Sequence, residues 1–142
     1  MGDITILLGS SPNDVTIKYH SLVGMPVLIP QWALGWHHSR QGIRSIGEMG
    51  QIVQNFTDYN LPLDAIWSDV DYMSNYDVFT VDPIYYGTLG TFVDTLHSDG
   101  KRFVPIIESG IAIKDNGTYA SYNEGIALDI FIKAANGEVF VG

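Results

Sequence analysis

Short apolar runs and longer amphipathic stretches alternate through the middle of the chain. The apolar runs occupy residues 31–37, 63–70 and 102–107, and the stretches 45–58 and 88–98 between them have apolar residues three and four positions apart. Short apolar runs are typical of buried strands, whereas a spacing of three and four describes one face of a helix. The pattern therefore predicts strand, helix, strand, helix, strand, in which each helix connects two adjacent parallel strands.

Capping and turn residues agree with these boundaries. Ser45 followed by Glu48 is a capping-box pattern at the start of the first helix. Gly100 follows the second helix, where a glycine commonly ends a helix. Near residue 136, Asn136-Gly137 separates two alternating apolar runs, which predicts a β-hairpin.

The first thirty residues show a different pattern. Ile4–Gly9 is a short β-type run, which predicts a strand. The following turn residues lead into a predicted helix that begins at Asn13 or Asp14. Pro26 and Pro30 then favour an extended backbone before the repeat begins.

All three predicted strands change from apolar to polar at their C-terminal ends. In a (β/α)8 barrel this edge is the active-site face, and in a doubly wound open sheet it is the ligand side. An eight-fold barrel needs about 250 residues, whereas this chain has 142 residues, three βα-type strands and a hairpin. We therefore expect an α/β chain that forms part of a larger domain.

Two carboxylates, Asp69 and Asp71, follow the second predicted strand. Alternate residues of a strand share one face, about 7 Å apart, so the pair could bind sugar hydroxyls or act in acid–base chemistry. The alternative is that the strand has left the core and both acids are solvated. A calcium loop is excluded because Ser74 and Thr80 stand where such a loop needs glycine and glutamate.

Other polar and aromatic residues lie near the strand ends. Trp36 could stack on a sugar ring or belong to the core, and Glu108 is an acid in the same layer or a solvated strand end. His37 and His38 are adjacent and would point to opposite sides of a strand, so we predict no metal site. No dinucleotide fingerprint, P-loop or nucleophile elbow is present, and we predict no cofactor.

Composition and charge exclude several function classes. The formal net charge is −9 with seven Lys and Arg, which disfavours nucleic acid and anionic membrane surfaces as partners. No apolar run approaches the roughly 18 residues of a membrane span. With no Cys, disulfides and thiolate chemistry are excluded. Sequons at Asn55 and Asn116 would allow a secretory, lysosomal or extracellular setting, but they do not determine the compartment.

Four segments together resemble consecutive segments of glycoside hydrolase family 31, which contains the α-glucosidases. They are LVGMPVLIPQWALGWHHSR, LDAIWSDVDYMSNYDVFTVD, KRFVPIIESGI and DIFIKAANGEVFVG. The resemblance extends from about Leu7 to Gly142, and the segments follow the family's order. It implies a retaining α-glycosidase with an incomplete (β/α)8 TIM barrel, comprising the first three βα-type strands plus a β-hairpin. Residues 28–142 would be the N-terminal part of this catalytic domain, and residues 1–27 the end of a preceding β-sandwich domain and linker.

The resemblance also implies roles for individual residues. Asp69 matches the carboxylate that hydrogen-bonds the sugar in the cleaved-residue subsite, and Ile111 matches an apolar wall of that subsite. We also expect Trp36 to contact substrate. Asp71 and Tyr72 match the same motif as supporting groups.

Two positions depart from the family's pattern. Gln41 stands where relatives usually have an aromatic residue, and Glu108-Ser109-Gly110-Ile111 replaces the common Asp-Pro-Gly-Ile. The motifs that contain the nucleophile and the acid/base are not found, so we predict no catalytic residue in this chain and expect both beyond Gly142.

Two functions therefore stay open. The first is a fragment of an enzyme that hydrolyses an α-linked glucoside or oligosaccharide and needs the remainder of its catalytic domain. The second is a non-catalytic sugar-binding or inactive remnant of such an enzyme.

Overall fold

The computed structural model describes residues 2–114 and 117–142, and the chain divides between Pro30 and Gln31 into two compact units. In the first unit, helix α1 spans Pro12–Val23. Ser11 caps it by accepting a hydrogen bond from the Asp14 N–H, and proline is favoured at the first helical position.

The strand predicted at Ile4–Gly9 is wrong. The described residues before α1 form no strand, and Ile4 is 92% exposed. A strand is stable only when its backbone groups pair with a neighbour and one face is buried, and neither condition is met here. The helix predicted to begin near residue 13 is confirmed.

The second unit contains a parallel sheet of three strands in the order β1 (His37–His38), β2 (Ala65–Ser68) and β3 (Arg102–Pro105). His37 pairs with Ala65, and Ala65 pairs with Arg102. The three adjacent parallel strands expected from the βα pattern are confirmed. Their C-terminal ends lie at one edge of the sheet.

Strand β1 is shorter than predicted, because Gln31–Leu34 form a 3-10 helix. A contact explains why the chain enters the sheet late. The Trp36 N–H donates to Asp64 Oδ2 at 2.8 Å, and a Cβ on Gly35 would lie 2.2 Å from that same oxygen. The chain therefore passes over the Asp64 carboxylate at a glycine before strand pairing begins.

The two predicted crossover helices are confirmed as α2 (Ile46–Asp58) and α3 (Leu89–Ser98). At the start of α2, Ser45 Oγ accepts the Glu48 N–H at 3.1 Å. Glu48 Oε2 accepts the Arg44 N–H, and Oε1 accepts the Arg40 guanidinium. The Arg44 N–H, with Arg40 beside it, holds the pKa of Glu48 below its usual value.

Buried apolar side chains join the helices to the sheet. Met49 of α2, Ile66 of β2 and Leu96 of α3 are at most 1% exposed and belong to one cluster. The other members are Ile43, Tyr72, Met73, Val78 and Tyr86. Each fully buried large apolar side chain contributes about 1.5–3 kcal/mol relative to exposure, so this cluster holds both helices in place.

Helix α4 (Ala120–Ala127) was not predicted. Its sequence lacks a clear apolar period, and no side chain caps its start. The turn predicted at Asn136-Gly137 is present, with an antiparallel bridge between Lys133 and Val139 and a backbone bond from the Phe140 N–H to the Ile132 carbonyl. The flanking segments form this single bridge rather than two regular strands.

Candidate functional site

Asp69 lies at the C-terminal edge of the sheet, directly after β2. It is the N-cap of a short 3-10 helix, Val70–Tyr72, and its Oδ1 accepts the Val70 N–H at 2.7 Å. The side chain is partly exposed, and Oδ2 has no hydrogen bond among the described residues. One oxygen therefore fixes the carboxylate, while the other is available to a ligand.

The strand geometry expected for Asp69 and Asp71 is wrong. Strand β2 ends at Ser68, and Asp71 lies within the 3-10 helix, so the two carboxylates are not alternate residues of one strand. Asp71 Oδ2 instead accepts the Gly42 N–H at 2.7 Å. This bond joins the loop after β2 to the loop after β1.

Tyr72 is 7% exposed, and its hydroxyl donates to the Ile106 carbonyl at 2.9 Å. Ile106 follows β3, and its N–H donates to the Ser68 carbonyl at the end of β2. Burial raises the pKa of Tyr72. The side chain therefore connects the ends of two strands and stays protonated at neutral pH.

Ile111 and Glu108 both follow β3, on the same side of the sheet as Asp69. Ile111 is partly buried and packs against the core cluster, whereas Glu108 is exposed. The structure thus brings Ile111 and Asp69 to one edge through adjacent parallel strands.

Trp36 lies at the opposite edge of the sheet from Asp69, so its predicted position at the C-terminal end of the first strand is wrong. It directly precedes β1, where the register puts it level with Asp64. Asp69 is five residues further along, or roughly 16 Å at ~3.3 Å per residue. The change from apolar to polar residues near Trp36 predicted the end of a strand. In the structure, these residues instead form a 3-10 helix followed by the contact between the Trp36 N–H and Asp64.

The two histidines have different surroundings. His37 Nδ1 accepts the Trp67 indole N–H at 2.9 Å, and its other ring nitrogen lies 3.0 Å from the Trp32 carbonyl. His38 packs edge-on against Phe56. Within residues 2–114 and 117–142, no cluster of three or more metal-ligating side chains occurs.

A cavity of about 580 Å³ lies at the edge where Asp69 stands. It is bounded by the segment that leads from β1 into α2 and by the loop after β2. Its lining residues are Arg44, Asp71, Met73, Asn75, Tyr76, Asp82 and Tyr85. Sequence reasoning did not assign Arg44, Asp82 or the tyrosines, although the acidic and aromatic composition of 71–85 was a visible signal.

No helix among the described residues has both the length and the apolar character needed to cross a membrane.

Comparison with known proteins gives a consistent result. The family model described as "Glycosyl hydrolases family 31 TIM-barrel domain" matches residues 26–142. Glucoamylase 1 of Candida albicans is 35% identical over 147 aligned positions, which cover 99% of this chain and 16% of that protein. The chain therefore spans about one sixth of the length of the curated relatives it matches.

Solved structures agree with the sequence comparison. The glucosidase II alpha subunit superposes with a TM-score of 0.83 and 27% identity, covering 95% of this chain and 14% of that one. A family 31 alpha-glucosidase from Bacteroides thetaiotaomicron superposes with a TM-score of 0.69 and 30% identity, covering 94% of this chain and 22% of that one.

Proposed function

Because the chain belongs to glycoside hydrolase family 31, we propose that it supplies the N-terminal part of the catalytic barrel of a retaining α-glucosidase. Residues 28–142 form this part of the barrel, and residues 1–27 end a preceding β-sandwich domain and linker. The start of the family match at residue 26 and the division of the chain after Pro30 support this arrangement. The remainder of the barrel is required for activity.

The substrate is an α-linked glucoside or oligosaccharide, and Asp69 binds one of its hydroxyl groups. A single observation carries this assignment: a carboxylate at the C-terminal end of a barrel strand has one oxygen fixed by a backbone N–H and the other unpaired among the described residues. Hydrogen bonds to a charged carboxylate are stronger than neutral ones. Ile111, from the loop after the adjacent strand, forms an apolar wall of the same subsite.

Asp71 and Tyr72 support this subsite without contacting the sugar. Asp71 is bonded to the Gly42 N–H, and the Tyr72 hydroxyl is bonded to the Ile106 carbonyl. These bonds tie the loop after β2, which carries Asp69, to the segments after β1 and β3. Their loss would change the position of the Asp69 carboxylate rather than its chemistry.

The nucleophile and the acid/base come from residues beyond Gly142. Retaining hydrolysis needs two carboxyl groups about 5–5.5 Å apart, on opposite sides of the scissile bond. Asp69 and Asp71 come from one short turn, and Asp71 is already engaged by Gly42. This pair therefore does not have the arrangement that the reaction needs.

Replacing Asp69 in the full-length protein tests the proposal. Asp69→Asn should lower kcat/KM for an aryl α-glucoside by at least ~10-fold, because a hydrogen bond to a charged group contributes about 1.5–3 kcal/mol. Asp94→Asn is the matched control, since Asp94 is an exposed carboxylate on α3. Wild-type kinetics in a folded Asp69→Asn protein would contradict the assignment.

A sugar-binding protein without catalysis is the second candidate, favoured by Gln41 and by Glu108-Ser109, which depart from the family's usual residues. Such a protein would bind an α-glucoside but not hydrolyse it. Turnover by the full-length protein distinguishes the two functions.

A further inference from the structure

A cavity lies between the segment after β1 and the loop after β2, and Asp69 is not among its lining residues. Two tyrosines face it, and they are 66% (Tyr76) and 60% (Tyr85) exposed. Its volume of about 580 Å³ lies within the ~300–1,000 Å³ of small-ligand sites. We propose that this cavity binds a sugar unit of the oligosaccharide substrate other than the unit held by Asp69. The inference rests on the proposed function.

Backbone hydrogen bonds orient the two carboxylates of the cavity before any ligand binds. Asp82 Oδ1 accepts the N–H groups of Ile84 and Tyr85 at 2.8 and 2.9 Å, and Asp71 Oδ2 accepts the Gly42 N–H. The second oxygen of each carboxylate has no hydrogen bond among the described residues. Each side chain therefore offers a fixed acceptor to a hydroxyl group, and little entropy is lost when the bond forms.

The lining of the cavity carries two carboxylates and one guanidinium, a combination that suits a polar ligand better than an anion or a metal ion. Two carboxylates repel an anion, and the described residues hold no cluster of three metal-ligating side chains. Arg44 and Asn75 can donate hydrogen bonds, while Asp71 and Asp82 accept them. A ligand with many hydroxyl groups satisfies both kinds of partner, and the tyrosine rings offer apolar faces to its C–H groups.

The loop that carries Tyr76 is held in an unusual conformation. Tyr76 has a φ of 62°, in the left-handed region that bulky residues seldom adopt. Next to it, the Asp77 N–H donates to the Ser74 carbonyl at 3.0 Å, and Asp77 Oδ2 lies 2.6 Å from Lys114 Nζ. Thr80 Oγ1 also accepts the Ser74 N–H. These bonds fix the backbone on both sides of the tyrosine.

Tyr76→Ala in the full-length protein tests this inference. The measured quantity is kcat/KM for an α-1,4-linked glucose tetramer divided by kcat/KM for an aryl α-glucoside. The variant should lower this ratio by about 5- to 10-fold, the size expected when one aromatic contact is lost. Tyr76→Phe keeps the ring and should restore most of the ratio.

Phe79→Ala is the matched control. Phe79 lies in the same loop, is 64% exposed and has a φ of 63°, but it does not line the cavity. Both substitutions place alanine in a left-handed conformation, so the change in backbone strain is similar. The ratio should keep its wild-type value in the Phe79→Ala protein.

Two results would overturn the inference alone: an unchanged ratio in Tyr76→Ala, or an equal decrease in Phe79→Ala. In both cases the wild-type protein still hydrolyses the aryl α-glucoside. A wild-type protein that hydrolyses neither substrate would overturn the proposed function as well.

Discussion

Gly35 stands at a position where the structure leaves no room for a side chain. Its backbone passes so close to Asp64 that a Cβ would lie 2.2 Å from a carboxylate oxygen. That carboxylate accepts the Trp36 N–H, and the Trp36 carbonyl in turn accepts the Asp64 N–H at 2.9 Å. The absence of a side chain at Gly35 thus allows the chain before β1 to approach the start of β2.

Gly35→Ala should destabilise the folded protein by about 1–3 kcal/mol, because forcing extra atoms into a filled site displaces its neighbours. Thermal unfolding of the full-length protein measures the effect. Gly90→Ala is the control, since a Cβ there has no atom within 4 Å, and alanine within a helix should stabilise by roughly 0.5–1 kcal/mol. Equal melting temperatures for the two variants would contradict this prediction.

The sequence predicted the position of Asp69 better than its surroundings. Polar residues after an apolar run indicated that a strand ends near Asp69, although β2 ends at Ser68 and the prediction extended it to residue 70. The same reasoning misplaced Asp71 because it extended the two-residue period of a strand past Ser68, where the chain turns into a 3-10 helix. Trp36 was misplaced because the contact between Gly35 and Asp64 connects residues far apart in sequence.

Among the elements, α2 and α3 were predictable because local signals agree with tertiary packing. The apolar positions of α2 recur every three or four residues, and Ser45 caps its first turn. Helix α4 has neither signal, so only its packing determines it: a Cβ on the buried Gly125 would lie 2.4 Å from the Phe131 ring. The turn at Asn136-Gly137 was visible because its chemistry is local.

Ser45→Ala should destabilise α2 by about 1 kcal/mol, because the Glu48 N–H loses its capping acceptor. Hydrogen exchange at the Glu48 amide measures this locally and should become about 5-fold faster. Ser98→Ala at the end of α3 is the control, since Ser98 Oγ donates to the Thr95 carbonyl and caps no N–H. Unchanged exchange at Glu48 would show that the cap contributes nothing.

At the scale of the whole molecule, the sheet is open on both sides. Among the described residues, neither β1 nor β3 pairs with a further strand. Large apolar side chains of the second unit, including Ile113, Leu128 and Ile130, are more than half exposed. Both features agree with the proposal that further strands and helices complete the barrel. The sequence predicted this incompleteness through its number of strands.

Three buried tyrosines should make the folded protein less stable as the pH becomes alkaline. Burial raises the pKa of Tyr72, Tyr86 and Tyr119 above the ordinary value of 10.0. Above pH ~10 the unfolded chain releases these protons more readily than the folded protein does. Their contribution to stability should therefore be complete below pH ~10 and decrease as the pH rises further.

Thermal unfolding between pH ~8 and ~11 tests this in the full-length protein and in Tyr86→Phe. The variant should be less stable throughout, because the Ile43 carbonyl loses the hydroxyl of Tyr86. Its melting temperature should nevertheless fall less steeply above pH ~10. Parallel curves for the two proteins would contradict the role of Tyr86.

The ion pair between Lys114 and Asp77 has a consequence for protein engineering. Together with the bond from the Tyr119 hydroxyl to the Val78 carbonyl, it joins the loop after β2 to the segment after β3. Barrel loops are usually treated as modules that can be exchanged separately between relatives. Here a graft of the loop after β2 must bring its partner segment with it, since a graft without Lys114 leaves the largely buried Asp77 carboxylate without its cation.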